Sequence, residues 1–157
     1  MSSAHPDFAH LDVARVTDAE MLKHLNSYPT EPVQLLNGTV LDIDSSRGTC
    51  RFRFEIVPAF CHSQGRICQG GFLTGMVDTA IANAAMARGN YAVAVPTLEI
   101  KVSFFEAMGP GTVFAEGRVQ RWGGSIGFLD GDIKDGKDRL IVHATSTVKI
   151  IREKKPR

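Results

Sequence analysis

A single carboxylate stands in the most apolar stretch of this 157-residue chain. Asp78 is the one charged residue between Ile67 and Ala87, a segment otherwise rich in Gly, Ala and larger apolar side chains. Leaving an ionised carboxylate buried and unpaired costs roughly several kcal/mol, so Asp78 must be solvated in a cleft, hydrogen-bonded, or shifted in pKa. Carboxylates of that kind act as acids, bases or nucleophiles. Gly70 and Gly71 open the same segment, and free N–H groups at a helix start can stabilise an oxyanion.

The elements that position these residues can be read from the same pattern. The segment predicts a long helix that is buried on nearly all sides and ends at Arg88-Gly89-Asn90. Upstream, Thr17 followed by Glu20 forms a capping-box pattern, which predicts a short amphipathic helix to about Asn26. Two prolines within residues 28–32 predict a turn or an extended connector, because proline forbids helix continuation.

The rest of the chain is typical of strands, which we expect to begin at Val33. Residues 50–56 alternate between apolar and charged side chains, which predicts a hairpin strand with one buried and one solvated face. After Gly89 we expect four more strands, and short turns that contain glycine join the last three into an antiparallel meander. In residues 98–104 apolar and polar positions alternate, so Phe104 is expected in the core.

One long helix and about six strands indicate the fold class. We expect an α+β fold in which a curved antiparallel sheet wraps a long central helix. A single sheet covers one flank of a helix, so a second copy is expected on the other flank and the chain should form at least a homodimer. The predicted organisation is an N-terminal extension with a short helix (1–32), one domain (33–151) and a basic tail (152–157).

Charge and composition argue against several classes of function. A net charge of +1 argues against a nucleic-acid partner, because phosphate binding needs a concentrated basic surface. No apolar run reaches membrane-spanning length, so no membrane association is expected. Three cysteines without a closely spaced pair, and without a secretory signal before them, favour the cytoplasm and argue against a zinc site.

The segment GRICQGGFLTGMVDTA, followed by VPTLEIKVSFFEAMGPG, resembles the hotdog-fold thioesterases of the phenylacetate-degradation (PaaI-like) type. The resemblance covers roughly residues 33–151. It implies a hotdog fold whose active sites form at a dimer interface, and many members of the family associate further into dimers of dimers. It also implies hydrolysis of an acyl-CoA thioester to the free acid and CoA. No metal is implied, and no cofactor other than the CoA of the substrate.

The family pattern has His-Gly-Gly and then an Asp nine positions after the His. Here Gln69-Gly70-Gly71 occupies that place and Asp78 stands nine residues after Gln69. The resemblance therefore implies that Asp78 is the catalytic carboxylate and that the Gly70 N–H is the oxyanion donor. Whether Asp78 attacks the carbonyl or activates water is open, with water activation preferred. Thr97 matches a Ser or Thr that holds the water, and we expect it to come from the neighbouring protomer.

The Asn that the family places before His-Gly-Gly is absent from this sequence. His62 takes its position if the match is anchored at Phe60-Cys61, and Ser63 takes it if the spacing from Gln69 is kept. Either His62 or Ser63 is therefore the expected hydrogen-bond partner of the thioester carbonyl on this side.

A set of cations and glycines marks the expected binding site for the CoA moiety. Arg121, Gly123, Gly124 and Ser125 resemble the strand junction at which the family often contacts the nucleotide, and Arg66 lies near the helix start. A guanidinium pairs well with phosphate, and glycine permits a close approach to the backbone.

Simpler interpretations exist beside these. Gln69 could be an ordinary polar residue at a helix start, and Thr97 an ordinary surface residue of a strand. An acyl pocket lined by Phe72, Met76 and Phe104 would accept aliphatic and aromatic groups alike. The alternative function is a non-catalytic protein of the same fold that binds or senses acyl-CoA.

Overall fold

A computed structural model describes residues 16–152 of the chain. Its first helix, α1 (Asp18–Ser27), begins with the predicted capping box. The Thr17 N–H donates to the Glu20 carboxylate at 2.9 Å, and the Glu20 N–H donates to the Thr17 hydroxyl at 3.3 Å. Our expectations for the first fifteen residues and for the tail beyond residue 152 fall outside the described residues.

A second helix, α2 (Glu31–Leu35), takes the place of the predicted connector and of the expected start of the first strand. That prediction was wrong because a proline in the first turn of a helix removes only an N–H that lacks a partner anyway. Pro32 lies in this first turn, and Val33 is buried on the helix. The chain then turns at Asn37, whose φ is 53°, and the first strand begins at Gly38.

The strands and the long helix follow in an order close to the predicted one. Six strands form one antiparallel sheet in the order β1-β2-β7-β8-β9-β6, and two short pairs, β3 with β4 and β5 with β10, lie apart from it. This confirms the α+β class and the meander of the last three long strands. The bounds are β1 (Gly38–Asp44), β2 (Thr49–Ile56), β3 (Cys61–His62), β4 (Ile67–Cys68), α3 (Gly70–Arg88), β5 (Val93–Ala94), β6 (Thr97–Phe104), β7 (Gly111–Trp122), β8 (Ile126–Asp135), β9 (Leu140–Lys149) and β10 (Ile151–Arg152).

Helix α3 crosses one face of the sheet and contacts all six of its strands. In β2 the apolar residues of the alternating pattern are buried beneath the helix, while Arg51 and Arg53 are exposed on the opposite face. Helix and sheet approach closely at Gly117 of β7, where a Cβ would lie 2.3 Å from the carbonyl oxygen of Ala80. Glycine on the strand and alanine on the helix thus let the two backbones touch, which fixes the depth at which α3 sits.

Strand β6 forms an edge of the sheet and pairs only with β9 within the described residues. Two of its apolar side chains are exposed, Leu98 at 57% and Phe104 at 50%. The prediction that Phe104 lies in the core was wrong, because alternation shows which residues share a face but not whether that face is covered. A free backbone edge with exposed apolar side chains is a surface that proteins usually cover.

Candidate active site

The start of α3 offers a backbone N–H group without a partner. Gln69 is the N-cap residue, and its side-chain oxygen accepts a hydrogen bond from the Gly71 N–H at 3.2 Å. The Gln69 carbonyl accepts from the Phe72 N–H at 3.0 Å. Within residues 16–152 no group accepts from the Gly70 N–H. Gln69 therefore serves as the helix cap, and the Gly70 N–H at the positive end of the helix is available to a ligand.

Gly70 opens into a cavity of about 330 Å³ between the helix start and the end of β6. The ring of Phe104 lies directly above it, since a Cβ on Gly70 would be 3.0 Å from the ring's Cζ. Cys68 and Leu73 form the inner wall, and Met108 lies on the far side. The glycine therefore leaves a slot under Phe104 that a side chain would narrow.

Asp78 is half-buried two turns further along α3. Its Oδ1 accepts a hydrogen bond from the Thr97 hydroxyl at 3.1 Å. Burial raises the pKa of the Asp78 carboxyl above its usual value, and the Thr97 hydrogen bond offsets part of that rise by lowering it. The contact is made within one chain, so the expectation that Thr97 comes from the neighbouring protomer does not describe this hydrogen bond.

Asp78 and Gly70 face different cavities of the same chain. Asp78 lines a larger cavity of about 890 Å³ between α3 and the segment of α1 and α2, and Gly70 does not line it. The two residues are eight positions apart, which is about 12 Å along the helix axis. No single thioester carbonyl can touch both groups within one chain.

The three residues expected to line the acyl pocket, Phe72, Met76 and Phe104, lie in different surroundings within one chain. Met76 is fully buried in the core, Phe72 stacks on another ring 4.4 Å away, and Phe104 covers Gly70. The cavity at Asp78 is instead lined by Ala82 and Met86, four and eight residues further along α3. That spacing, which keeps residues on one helix face, was visible in the sequence.

His62 and Ser63 lie in the tight turn between β3 and β4. Residues 63–65 all have positive φ, at 53°, 62° and 77°. The His62 Nδ1 lies 2.9 Å from the Ser63 hydroxyl, and both side chains are exposed. The hairpin is tied to the start of α3, because the Gln69 N–H donates to the Phe60 carbonyl at 2.9 Å. Both residues therefore stay candidates for contact with the substrate.

The two arginines expected to bind the CoA moiety lie at opposite ends of β7. Arg66 packs beside Gly109 just before the strand, where a Cβ on that glycine would be 2.6 Å from the Arg66 carbonyl oxygen. Arg121 is exposed near the far end of the strand. Ten residues of extended chain between Gly111 and Arg121 span about 33 Å. Within one chain the two guanidinium groups cannot bind the same phosphate.

The turn of residues 123–125 lies at the Asp78 end of the sheet. The strand register places Thr97 level with Trp122, through β9 and β8. The Arg152 guanidinium donates to the carbonyl groups of Gly123 and Gly124, so these two oxygens are already occupied. The Gly123 N–H is also occupied, because it donates to the Ile126 carbonyl at 3.0 Å. The N–H groups of Gly124 and Ser125 and the Arg121 side chain are what this turn can offer an anion.

Residues 16–152 contain no cluster of three or more His, Cys, Asp or Glu side chains that could hold a metal ion. Cys61 and Cys68 lie directly opposite each other across β3 and β4, and both are free thiols, as is Cys50 in the core. No helix in the described part of the chain is both long and apolar enough to cross a membrane.

Comparisons with known proteins relate this geometry to a family. Residues 66–142, which include the start of α3, Asp78 and β6, match the thioesterase superfamily. Over these residues, 77 of its 157, the chain is similar to that superfamily. No curated protein matches the chain significantly.

Solved structures share the hotdog fold over most of their length. A phenylacetic acid degradation-related protein of Ralstonia eutropha is 23% identical, with a TM-score of 0.74 over 83% of this chain and 97% of that chain. The E. coli PaaI protein is 18% identical, with a TM-score of 0.75 over 85% and 94%. A thioesterase of Haemophilus influenzae is 17% identical, with a TM-score of 0.75 over 83% and 90%. The PaaI-like hotdog fold expected from the sequence is confirmed.

Proposed function

We propose that this hotdog protein hydrolyses acyl-CoA thioesters to the free acid and CoA. The observation that carries the proposal is the Asp78 carboxylate, which is partly desolvated, has a raised pKa, and opens into the larger cavity. A carboxylate in that setting is suited to act as a general base, because its raised pKa is nearer to neutral pH than the usual value. The Gly70 N–H at the start of the same helix is suited to stabilise an oxyanion.

The proposed site needs two chains. Asp78 and Gly70 lie about 12 Å apart along α3, which is too far for both to contact one thioester group. A base and an oxyanion donor must each come within about 3 Å of the reacting atoms. The base of one chain therefore works with the oxyanion donor of a second copy.

Antiparallel pairing of two copies of β6 can supply that second chain. The strand has a free edge in the described part of the chain and exposes Leu98 and Phe104. Pairing about its centre places Thr97 of one chain beside Phe104 of the other, because these residues end the strand. Asp78 is hydrogen-bonded to Thr97, and Gly70 lies under Phe104. The pairing therefore brings the partner's Gly70 towards Asp78. A homodimer then has two composite sites, and a dimer of dimers stays a prediction from the resemblance.

The chemistry then uses protein groups at both ends of the carbonyl. Ionised Asp78 takes a proton from a water molecule that attacks the carbonyl carbon. The Thr97 hydroxyl donates a hydrogen bond to Oδ1 of Asp78, which leaves Oδ2 to face the water. The N–H of the partner's Gly70 stabilises the charge that develops on the carbonyl oxygen, by about 2.7–4 kcal/mol. The tetrahedral intermediate breaks its C–S bond, and Asp78 returns the proton to the CoA thiolate.

The same dimer would gather the cations that a single chain keeps apart. Arg121 and the turn of residues 123–125 lie at the Thr97 end of the sheet, whereas Arg66 lies at the Gly70 end. Pairing of the β6 strands places the Gly70 end of one chain beside the Thr97 end of the other. The phosphates of CoA could then contact Arg121 of one chain and the partner's Arg66.

Release of free CoA from a panel of acyl-CoAs tests the proposal directly. Asp78→Asn keeps the shape of the side chain and removes the base, so kcat should fall by about 10²–10⁴-fold. Asp138→Asn is the matched control, because Asp138 is 83% exposed and pairs only with Lys134 in the described structure. Turnover by Asp78→Asn equal to that of wild type and Asp138→Asn would overturn the assignment of the base.

Two further outcomes separate the remaining alternatives. In a single turnover in water labelled with heavy oxygen, attack by water puts the label into the product acid. Attack by Asp78 itself releases the CoA thiolate and forms a mixed anhydride, and water that opens this anhydride at the Asp78 carbon leaves an unlabelled oxygen in the product acid and the label on Asp78. Calorimetric binding of an acyl-CoA, with no thiol released from any thioester, would identify a binding or sensing protein and refute the proposed hydrolase.

A further inference from the structure

The cavity at Asp78 continues along one face of α3. Asp78, Ala82 and Met86 follow one another at intervals of four residues, so their side chains lie in a row. All three line the cavity, and Ala82 and Met86 are half-buried, as expected of residues that face an open space. Its volume of about 890 Å³ lies within the usual range of small-molecule sites.

The other walls of the cavity are mostly apolar and come from several elements. Val40 of β1 and Phe52 of β2 form the floor on the sheet side. Pro32 and Val33 line the opposite side, so helix α2 forms the wall that faces the sheet. Val95 completes the wall next to β6. The N-terminal segment of the chain thus lines this cavity together with the hotdog sheet and helix.

Charge decides which part of an acyl-CoA could enter. Asp78 and Glu31 are the charged residues that line the cavity, and no lysine, arginine or histidine of the described chain joins them. The phosphates of CoA would therefore meet no cation there and two carboxylates of their own sign. An acyl group that carries its own carboxylate would meet the same repulsion. The occupant that this surface fits is an uncharged, apolar chain.

We propose that the cavity holds the acyl chain of the substrate and that the row from Asp78 to Met86 sets the chain length. This inference rests on the proposed thioesterase function and adds a substrate class to it. The eight residues from Asp78 to Met86 span about 12 Å. An extended hydrocarbon advances about 1.25 Å per carbon, given C–C bonds of about 1.5 Å, so an acyl chain of about 8–10 carbons fills the row. The substrates are medium-chain acyl-CoAs.

The wild-type profile is measured as kcat/KM for straight-chain acyl-CoAs that increase in length from acetyl to palmitoyl. Burying one more methylene group raises kcat/KM by up to about fourfold while the chain still lies within the cavity. We expect this rise to stop at about 8–10 carbons, where the chain reaches Met86. A profile that is flat, or that peaks at acetyl, would overturn the inference.

Substitutions along the row shift this profile in opposite directions. Ala82→Phe blocks the cavity one turn beyond Asp78, so the ratio of kcat/KM for decanoyl-CoA to that for butyryl-CoA should fall by about tenfold or more. Met86→Ala opens the far end and should move the optimum to longer chains. Ala92→Phe is the matched control, because Ala92 is exposed and lies outside the cavity. Its ratio should equal that of wild type.

The outcomes distinguish this inference from the function on which it rests. If Ala82→Phe hydrolyses acyl-CoAs with an unchanged ratio of kcat/KM for decanoyl-CoA to that for butyryl-CoA, the acyl chain does not lie along the row. The thioesterase assignment would still stand. If wild type releases thiol from no acyl-CoA, the function and this inference both fail. If thermal unfolding shows that Ala82→Phe does not fold, the smaller Ala82→Leu substitution should shift the ratio in the same direction, and an unchanged ratio there overturns the inference.

Discussion

The Gly70 N–H can be removed without displacing the helix that carries it. Gly70 is the first residue of α3, a position that accepts proline because the fixed φ of proline suits a helix start. Gln69 before it has φ −69° and ψ 132°, the extended conformation that a following proline requires. Gly70→Pro should therefore delete one hydrogen-bond donor and leave the fold unchanged.

Gly70→Ala provides the control for this variant. Both substitutions add a Cβ that would lie 3.0 Å from the Phe104 Cζ, and the half-exposed ring can move to relieve that contact. Only the proline variant loses the N–H. Loss of one oxyanion donor costs about 2.7–4 kcal/mol of transition-state stabilisation, so kcat of Gly70→Pro should lie about 10²–10³-fold below that of Gly70→Ala.

The assay is thiol release under saturating and limiting acyl-CoA, with circular dichroism to compare the folding of the two variants. Because the negative charge exists only in the transition state, the difference should appear in kcat and leave KM similar. Equal kcat in Gly70→Pro and Gly70→Ala, with both folded, would refute Gly70 as the oxyanion donor.

Three other predictions concern Asp78 and the packing of the sheet. The Thr97 hydroxyl lowers the pKa of Asp78, so Thr97→Ala should raise that pKa and move the acidic limb of the kcat/KM profile to higher pH, whereas Thr97→Ser should not. Burial raises the pKa of Asp78 in the folded state. The contribution of Asp78 to the stability of the fold is therefore fully present below its usual pKa of 3.8 and is lost as the pH rises through the folded pKa. Asp78→Asn should therefore unfold at a higher Tm than wild type at neutral pH, and a scan that shows the same difference at acidic pH would contradict this. Gly117→Ala places a Cβ 2.3 Å from the Ala80 carbonyl oxygen and should cost about 1–3 kcal/mol in urea unfolding, whereas Gly136→Ala, with no atom within 4 Å, should match wild type.

The parts of the fold that could be predicted are those with a local signal. The absence of charge from residues 67–77 and 79–87 indicated a buried helix and made Asp78 stand out. Alternation in residues 50–56 gave the correct buried face of β2. Helix α2 was missed because Pro32 was interpreted as a breaker, although the same residue is compatible with a first turn.

The arrangement of the candidate site could not be predicted from the same signals. Spacing along the chain placed Asp78 and Gly70 on one helix, but it could not show that they open into different cavities. The exposure of Phe104 depends on β6 being an edge strand, and strand order is a long-range property. The part of α2 in the wall of the larger cavity was not expected either, because it depends on how the N-terminal segment packs against the rest of the chain.

Mixed dimers of two impaired variants test most directly whether the proposed thioesterase site is formed by two chains. Gly70→Pro removes the oxyanion donor from one chain, and Asp78→Asn removes the base from the other. Each mixed dimer then has one site with both groups intact and one site that lacks both. Random pairing of equal amounts makes about half of the dimers mixed, so co-expression should restore about a quarter of the wild-type activity. If mixed dimers are present and their activity is no higher than that of either variant alone, the two-chain site is wrong.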